Sequence, residues 1–547
     1  MIFAMVDFTE RPLSANWKRI SHGMPNLSRL QRQAYHCFRQ GELDRAERLC
    51  TGILAHRPDD FDALHLLGML HFQRHRLVEA LRFLAQALRV NSNSADALSN
   101  LGLALHATGR YDEAISSYRH ALDLAPGHPE ILYNLGNACL ALDNVDDALS
   151  NYSRVLTTAP GHVGALVNRG NALVRLNRPV EAMASYDTAL GGMPGHPQIL
   201  TNRGHALRRL DRPVEALADF KAALAAAPEF AEAHFEAAMT QLSMGNFDAG
   251  WKEYEWRWKT GAFARHPPQP KAPLWLGERP ISGKTILLHA EQGFGDTIQF
   301  IRYAPLLAGQ GAKVVCEVQP ELLPLLSQHE NVMLRGITFV AAGEPRPAFD
   351  LHCPLLSLPL AFGTQPGTIP AIVPYLAASA DRQAHWRDRV PPGRFRAGFV
   401  WSGQSSHKND SNRSIALPRL SALFDRQVRC FSLQRDLRDA DGEALRGLPN
   451  MVHLGDELRD FADTAAIISL LDVVISVDTA VAHLAGALGK PVMILLPYAA
   501  DFRWMRASDD SPWYPDAKLF RQPAFGDWNS VIARVADELR QLALGFH

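Results

Sequence analysis

Residues 132–160 read LYNLGNACLALDNVDDALSNYSRVLTTAP, and three of these positions recur along the chain at a fixed spacing. Gly136, Ala148 and Pro160 each belong to a series whose members lie 34 residues apart. The series are Ala34, Gly68, Gly102, Gly136, Gly170, Gly204 and Ala238; Ala46, Ala80, Ala114, Ala148, Ala182, Ala216 and Gly250; and Pro58, Pro126, Pro160, Pro194 and Pro228, with Ser92 interrupting the last. Small residues let two helices approach closely, and a proline ends a helix. The pattern predicts seven helix-turn-helix units over residues 27–264, after an N-terminal tail of residues 1–26.

This repeat resembles the tetratricopeptide repeat, whose units stack into a right-handed superhelix with an extended concave face. The resemblance implies an α-solenoid that binds a protein or peptide partner in that face. The simpler alternative is a non-catalytic scaffold, because most repeat arrays of this kind only bind other proteins.

An asparagine series gives the concave face a more specific interpretation. Its members are Asn100, Asn134, Asn168 and Asn202, one on the first helix of each of four successive units. An amide side chain both donates and accepts hydrogen bonds, so a ladder of amides could pair with an extended peptide backbone of any sequence. This series resembles the asparagine ladder of the protein O-linked N-acetylglucosamine transferases. The alternative is that asparagine serves solvation or bonding between repeats.

The seventh unit departs from the others by its aromatic residues. Residues 244–263 contain Trp251, Tyr254, Trp256 and Trp258. Aromatics at helical spacing more often pack against a neighbouring domain than form a ligand box, so we expect packing. The proline-rich stretch that follows marks a linker over residues 265–284.

Short apolar runs alternate with helical patterns in the second half of the chain. The predicted strands are residues 285–291, 312–318, 331–336 and 349–356 in a first block, and 396–403, 428–434, 451–456, 472–478 and 491–497 in a second. Strands that alternate with helices predict doubly wound parallel sheets. We therefore expect two facing α/β domains, over residues 285–388 and 389–547.

Three polar segments follow predicted strands. HAEQGFGDTIQF (289–300) contains Gly293 and Gly295, which match the first two glycines of a dinucleotide fingerprint whose third glycine is missing. WSGQSSHKNDSNRS (401–414) and DTAVAHLAGALGKP (478–491) belong to the second block. Ligands bind parallel sheets at the carboxyl ends of the strands, so all three segments are predicted to face one cleft.

The second half, roughly residues 284–545, resembles the bacterial heptosyltransferase family, which has the two-domain GT-B fold. Gly295-Asp296 matches the family's GD dipeptide, and residues 476–484, SVDTAVAHL, match its second-domain motif. Ala480 stands where that motif has glycine, which puts the close backbone approach of a glycine in doubt. The combination with repeats further resembles the protein O-linked N-acetylglucosamine transferases. The resemblance implies a metal-independent transferase without a cofactor, whose donor substrate is a nucleotide-diphosphate sugar.

On the acceptor side, the resemblance implies that Asp296 is the catalytic base, with Gly293 and Gly295 forming the turn before it. The alternative is that Asp296 only caps a helix beginning at Thr297. A helix N-terminus favours the ionised carboxylate, which keeps it available but makes it a weaker base.

On the donor side, Asp478 is implied as a contact to the nucleotide sugar. The N–H groups of a helix opened by Thr479 and Ala480 would bind the diphosphate of the donor, together with His483. The alternative is that His483 is a structural histidine. Further predicted donor contacts are Lys408 and Arg413, unless they only belong to a solvated loop, and Gln434, which with Arg435 could border the nucleoside. Arg503, Trp504, Trp513 and Tyr514 could either close the cleft or fill the core.

Composition limits the classes of partner. The formal net charge is −1 and 21% of residues are charged, which indicates neither a nucleic-acid partner nor a membrane-surface binder. No apolar stretch reaches the length of a membrane span, and no leader sequence is evident. The six cysteines lack the spacing of a zinc site or a disulfide framework, which predicts a cytoplasmic protein without a structural metal.

Three functions remain in competition. The first is a glycosyltransferase whose repeats hold a protein acceptor. The second is a non-catalytic scaffold with a decayed transferase region; the intact motifs speak against it and Ala480 speaks for it. The third is a dehydrogenase using Glu317 on the cofactor ribose, which Ile298 at the third glycine position disfavours.

Overall fold

The computed structural model describes residues 27–261, 263, 270–405, 409–424, 427–506 and 508–546. The predicted tail, residues 1–26, and the start of the predicted linker lie outside the described residues, as does Lys408. The chain divides into two compact units, Met1–Pro194 and Gly195–His547. The division falls inside the repeat array, after the fifth predicted repeat.

The first unit consists of five helical hairpins. Its helices are α1 Leu27–Arg39, α2 Leu43–His56, α3 Phe61–Gln73, α4 Leu77–Val90, α5 Ala95–Ala107, α6 Tyr111–Leu124, α7 Pro129–Ala141, α8 Val145–Thr158, α9 Val163–Arg175 and α10 Pro179–Gly192. The glycine series brings the two helices of a hairpin together. A Cβ added to Gly136 would lie 2.6 Å from the Tyr152 ring, and one added to Gly102 would lie 2.6 Å from the Tyr118 ring. The predicted helix-turn-helix repeats are therefore confirmed.

The second unit begins with the last two hairpins, formed by α11 Pro197–Arg209, α12 Pro213–Ala226, α13 Ala231–Ser243 and α14 Phe247–Tyr254. The last helix has 8 residues and continues as a 3-10 turn, Glu255–Lys259. Trp251 and Tyr254 share one buried core with the α/β region. The packing predicted for these two aromatics is confirmed, whereas Trp256 stacks on His234 of its own repeat.

The α/β region contains two parallel sheets, as the strand pattern predicted. Its elements are β1 Thr285–His289, α15 Phe294–Phe300, α16 Ala304–Gly309, β2 Lys313–Val318, α17 Leu323–Leu326, β3 Thr338–Ala341, β4 Leu351–Pro354, α18 Leu358–Ala361, α19 Ala380–Trp386, β5 Arg396–Val400, α20 Asp410–Arg413, β6 Arg429–Ser432, α21 Asp439–Arg446, β7 Met451–His453, α22 Phe461–Leu470, β8 Val473–Val477, α23 Ala480–Ala487, β9 Val492–Leu496, β10 Ala517–Arg521 and α24 Trp528–Leu544. The strand orders are β3-β2-β1-β4 and β10-β9-β8-β5-β6-β7. Both orders reverse beside the first strand of the sheet, as in doubly wound folds, which is consistent with the GT-B fold.

Two strand predictions were wrong. Residues 331–336 form a turn rather than a strand, because the Asn331 amide donates to the Leu325 and Leu326 carbonyls and accepts from the Ala377 N–H. The strand comes after Gly336, at β3. The edge strand β10 was not predicted at all. Within the described parts of the chain, no helix has both the length and the hydrophobicity needed to cross a membrane.

A buried ion pair joins the end of the repeats to the first sheet. The Arg257 guanidinium is fully buried, and its Nε donates to Glu291 Oε2 at 2.8 Å. It also donates to the Ser357 hydroxyl at 2.7 Å and to Glu255 Oε1 at 2.7 Å. Glu291 lies two residues before Gly293, so this ion pair holds the chain just ahead of the first predicted site segment.

Candidate active site

The two segments that carry the heptosyltransferase-like motifs lie side by side. Helix α15 follows β1 and helix α23 follows β8, each at the carboxyl end of its strand. A Cβ added to Gly295 would lie 2.8 Å from His483 Cδ2 and 3.5 Å from Ala480 Cα. Glycine at 295 therefore permits the N-terminal turn of α15 to approach α23. Two of the three polar segments that were predicted to lie close together therefore do so.

Asp296 is the third residue of α15. Its Oδ2 accepts a hydrogen bond from the Gly293 N–H at 2.8 Å, which satisfies a donor before the helix begins. The expected alternative, a cap on a helix starting at Thr297, is wrong in position because α15 starts at Phe294. The other carboxylate oxygen, Oδ1, forms an ion pair with Arg503. Asp296 thus has one oxygen on its own turn and one on a partner from the second sheet.

Arg503 lies in the connection between β9 and β10 and is mostly buried. Its Nε donates to Gln299 Oε1 at 2.8 Å and its Nη1 to Asp501 Oδ1 at 2.7 Å, while Nη2 reaches Asp296. Burial by itself would lower the pKa of Arg503, but Asp501 and Asp296 more than offset it and raise that pKa above its usual value. The guanidinium is therefore a permanent cation. It is buried, and all three of its nitrogens have polar side-chain partners, one of them the predicted base Asp296.

Asp478 follows β8 and has a side chain that is 16% exposed. Burial, and after it the nearby Asp501 carboxylate, raises the pKa of Asp478 to about 6, although Arg413 and Arg503 oppose the shift. The Arg413 Nη1 donates to the Asp478 backbone carbonyl at 2.8 Å. The Asp478 carboxyl thus lies within electrostatic reach of a second carboxylate and of two guanidinium groups.

His483 is buried on α23, with Nδ1 3.0 Å from the Tyr514 hydroxyl and its ring stacked on Trp504. Its Nε2 lies 3.9 Å from Asp478 Oδ1. Burial, and then the positive charges of Arg503, Arg302 and Arg413, lowers the pKa of His483 well below its usual value. The imidazole is therefore neutral at physiological pH, and Tyr514 orients it.

Thr479 precedes α23 in an extended conformation, and its hydroxyl lies 3.0 Å from that of Ser476. The first N–H groups of a helix have no partner within the helix, so those of Ala480 and Val481 face outward from its end. The positive end of the helix dipole lies at the same place. Backbone N–H groups are present at this turn whether residue 480 is alanine or glycine, so the predicted diphosphate contact does not depend on a glycine there.

In the loop between β5 and β6, Arg413 packs flat on the chain. A Cβ added to Gly403 would lie 2.5 Å from Arg413 Nη2, so only glycine allows this arrangement. The buried Arg413 Nε finds no hydrogen-bond partner among the described residues. Arg413 is therefore mostly buried and anchored on the Asp478 backbone rather than in a solvated loop, and its Nε lies 4.0 Å from Asp410 Oδ1.

Gln434 is buried and differs from its predicted role as a donor contact. Its Oε1 accepts from the Trp401 and Ser402 N–H groups, and its Nε2 donates to the Ser402 and Asp436 carbonyls. Because backbone groups use both ends of the amide, Gln434 shapes the loop and acts as a positioning residue.

The asparagine series lies outside this cleft, in the repeats. Asn100 bonds His65 at 2.8 Å, and Asn168 donates to Tyr133 and Asn137. Both sets of partners belong to the preceding repeat, which is the bonding between repeats that was the alternative to a peptide ladder. Asn134 is buried, and Asn202 accepts from Gln198 on its own helix.

Asp501 and Gln299 were missed by the sequence analysis. Gln299 lies three residues after Asp296 on the same helix, a spacing that places two side chains on one face. Asp501 precedes Arg503 by two residues and caps the 3-10 turn Phe502–Trp504 by accepting from the Arg503 N–H. Glu317, proposed to hold a ribose, accepts from Arg346 at 2.9 Å instead.

Two families match the chain. Tetratricopeptide repeats match residues 59–127, 93–161, 133–197 and 201–255. Glycosyltransferase family 9 (heptosyltransferase) matches residues 446–520. The second match contains Asp478, His483 and Arg503, whereas Asp296 lies outside it.

A curated relative aligns with more than half of the chain. Protein FlbA of Caulobacter vibrioides is 25% identical over 352 residues, covering 58% of this chain and 56% of that protein. The chain thus spans about half the length of this relative. Among solved structures, YrrB, described as a tetratricopeptide-repeat protein with an unusual peptide-binding site, is 22% identical over 34% of this chain and 95% of its own, with a TM-score of 0.31. The PilF protein of Pseudomonas aeruginosa is 19% identical over 38% of this chain and 94% of its own, with a TM-score of 0.35.

Proposed function

We propose that this chain, which combines tetratricopeptide repeats with a C-terminal glycosyltransferase family 9 (heptosyltransferase) domain, transfers a sugar from a nucleotide-diphosphate donor to a protein acceptor. The observation that carries the proposal is the approach of Gly295 to His483. This approach brings the Asp296 carboxylate, which follows the first sheet's β1, close to the N-terminal turn of α23, which follows β8 of the second sheet. A base and a leaving-group site are what glycosyl transfer requires.

In the proposed reaction, Asp296 accepts the proton of an acceptor hydroxyl. The acceptor oxygen bonds to the anomeric carbon, and the bond from that carbon to the diphosphate oxygen breaks. The negative charge that develops on the diphosphate is stabilised by the N–H groups at the start of α23, by Arg413 and by the neutral His483 imidazole. These groups are already in place, so little reorganisation is needed when the charge develops. Since protein groups meet this charge, we expect transfer to keep its rate in EDTA.

The protein acceptor is proposed from the repeats, whose family typically binds other proteins. In this proposal the two asparagines that are only half-buried, Asn168 and Asn202, each offer an amide group to the acceptor, whereas Asn100 and Asn134 are buried. Replacing Asn168 and Asn202 by alanine would then lower transfer to protein while leaving hydrolysis of the donor by water unchanged. If both rates fall together, the asparagines only support the fold.

A thermal-shift panel tests the donor site. The full-length chain is melted with UDP, GDP, ADP, CMP, dTDP and NAD, as wild type and as Asp478→Asn. A ligand at about 100 times its Kd stabilises a protein by about 2.7 kcal/mol, which shifts Tm by several degrees. We expect one nucleoside diphosphate to raise Tm of the wild type and to lose this effect in the variant.

Asp537→Asn is the matched control, because Asp537 forms an exposed ion pair with Arg540 on α24. It should respond to nucleotides as the wild type does. If no nucleotide shifts Tm at millimolar concentration, the transferase proposal is wrong and a scaffold becomes the better interpretation. A shift by NAD alone would favour the dehydrogenase.

A further inference from the structure

We infer that Arg503 couples donor binding to the release of Asp296: the donor diphosphate takes the guanidinium Nη2, and the carboxylate becomes free to accept the acceptor proton. This inference rests on the proposed function and adds an order of events to it. In the structure the base is occupied by an ion pair. A carboxylate so engaged is a poor proton acceptor, because protonation would break a charge-assisted bond.

Three acceptors surround the Arg503 guanidinium, and two of them hold it when the third leaves. Nε bonds Gln299 at 2.8 Å and Nη1 bonds Asp501 at 2.7 Å. Only Nη2 faces Asp296. The exchange of one partner therefore leaves the guanidinium anchored by Gln299 and Asp501, and Nη2 can donate to the incoming diphosphate.

Asp296 also stays in place after the exchange. Its Oδ2 remains bonded to the Gly293 N–H at 2.8 Å, inside the first turn of α15. The carboxylate group therefore keeps its position while Oδ1 changes its partner. Release of Arg503 changes the charge environment of the base without moving it.

The segment that carries Arg503 is fixed from behind by the last two repeats. The Phe502 ring packs edge-on against Trp251, with centroids 5.6 Å apart. Arg506 forms an ion pair of 2.9 Å with Asp211, in the turn between α11 and α12. With both neighbours held, the exchange needs a side-chain adjustment and no movement of the segment.

A diphosphate is the ligand that fits this exchange. It carries more charge than a carboxylate and offers oxygens to several donors at once, so it competes well for a guanidinium. The start of α23, which the proposed function assigns to the diphosphate, adjoins α15 through the contact of Gly295 with His483. The positive charge of Arg503 also lowers the pKa of both Asp478 and His483, the residues that flank the start of α23.

The test is a double-mutant cycle read by calorimetric titration of the full-length chain with inorganic pyrophosphate. Asp296→Asn removes the competing charge but keeps an oxygen for the Gly293 N–H, and we expect it to tighten pyrophosphate binding about fivefold or more. Arg503→Gln should weaken binding at least tenfold. In the double variant the gain from Asp296→Asn should disappear, because no guanidinium is left to be released. Arg506→Gln, in the same segment but directed at Asp211, should bind as the wild type does.

Two outcomes overturn the inference. One is an equal gain from Asp296→Asn with and without Arg503, which would mean simple removal of a negative charge. The other is wild-type affinity in Arg503→Gln. If Arg503→Gln does not fold, Arg503→Lys replaces it, because lysine cannot bond Gln299 and Asp501 while also reaching a third anion. The tighter pyrophosphate binding caused by Asp296→Asn must then disappear in the Arg503→Lys background as well. If the wild type binds neither pyrophosphate nor any diphosphate of the panel, the proposed function fails too.

Discussion

Tyr152 and Tyr254 stand at the same position of the 34-residue repeat, three periods apart, and have different partners. The Tyr152 hydroxyl donates to Asn137 in its own hairpin, at 2.8 Å. The Tyr254 hydroxyl accepts from Gln292, the residue before Gly293, at 2.8 Å. One repeat position thus serves the interior of the array in the fourth unit and the candidate active site in the seventh.

The second helices of the fourth and seventh repeats also differ in length. Helix α8 has 14 residues, whereas α14 ends after 8 and becomes a 3-10 turn. That turn brings Arg257 to Glu291 and Ser357. The comparison shows that the 34-residue period determines which way a side chain faces. The element packed against that side chain determines its hydrogen-bond partner. The last repeat is therefore part of the transferase unit.

Among the variants that test this comparison, Arg257→Met should lower the free energy of unfolding the most. It leaves the Glu291 carboxylate buried without its partner, which typically costs about 3–5 kcal/mol. Nine of the ten tryptophans lie at or after Trp251, so tryptophan fluorescence during urea unfolding reports on the second unit. The control Arg212→Ala breaks an exposed ion pair with Glu215 in the same unit and should change stability by about 0–0.5 kcal/mol. Equal small effects would contradict the role given to the last repeat.

Gly295→Ala and Gly136→Ala compare a close approach in the site with one in the array. The new methyl groups would meet His483 Cδ2 at 2.8 Å and the Tyr152 ring at 2.6 Å. Each should cost about 1–3 kcal/mol, as other overpacked substitutions do. Only Gly295→Ala should also lower sugar transfer, because it separates α15 from α23. Measured under conditions where both variants are folded, an equal loss of transfer in both would show that activity only follows stability.

Asp478→Asn should stabilise the protein at high pH. The pKa of this carboxyl is raised to about 6 in the folded state, so ionisation above pH 6 opposes folding. Neutral asparagine removes that cost, which for a shift of about two pKa units is a gain of up to about 3 kcal/mol at pH 8. The gain should decline between pH 6 and pH 4 and vanish below, where the carboxyl is protonated in both states.

Asp219→Asn is the contrasting variant in the repeats. It weakens a two-bond ion pair with Arg203 and should destabilise the protein at pH 8. Denaturant midpoints measured from pH 4 to pH 8 compare the two variants. A destabilised Asp478→Asn at pH 8 would refute the assignment of a costly, functional carboxylate.

Tyr254→Phe and Tyr152→Phe should show the smallest effect. Each removes one hydrogen bond, worth about 0.5–1.5 kcal/mol. Because Gln292 precedes the Gly293 turn, only Tyr254→Phe should also lower kcat, with little change in the KM for the donor. Steady-state kinetics on both variants measures the difference. A kcat that falls equally in Tyr152→Phe would remove the distinction between the two repeats.

Much of the fold could be predicted because it depends on local patterns. The series through Gly136 and Ala148 predicts the hairpins, and the alternation of strands and helices predicts two parallel sheets. The strand prediction for residues 331–336 was wrong because this run of apolar residues has the pattern of a strand. The Asn331 amide instead donates to carbonyls of the preceding helix, which makes the chain turn. The edge strand β10 is short and follows a long irregular connection, so its pattern is weak.

The sequence by itself determined the repeats, the two sheets and the positions of the GFGD and SVDTAVAHL segments, because spacing along one chain controls them. Only the tertiary structure decided that Arg503 meets Asp296, that Gln434 is used by backbone groups and that Asn168 bonds the preceding repeat. The Arg503–Asp296 pair spans 207 residues. Partners so far apart are chosen by how helices and loops pack in space, and no local period records that choice.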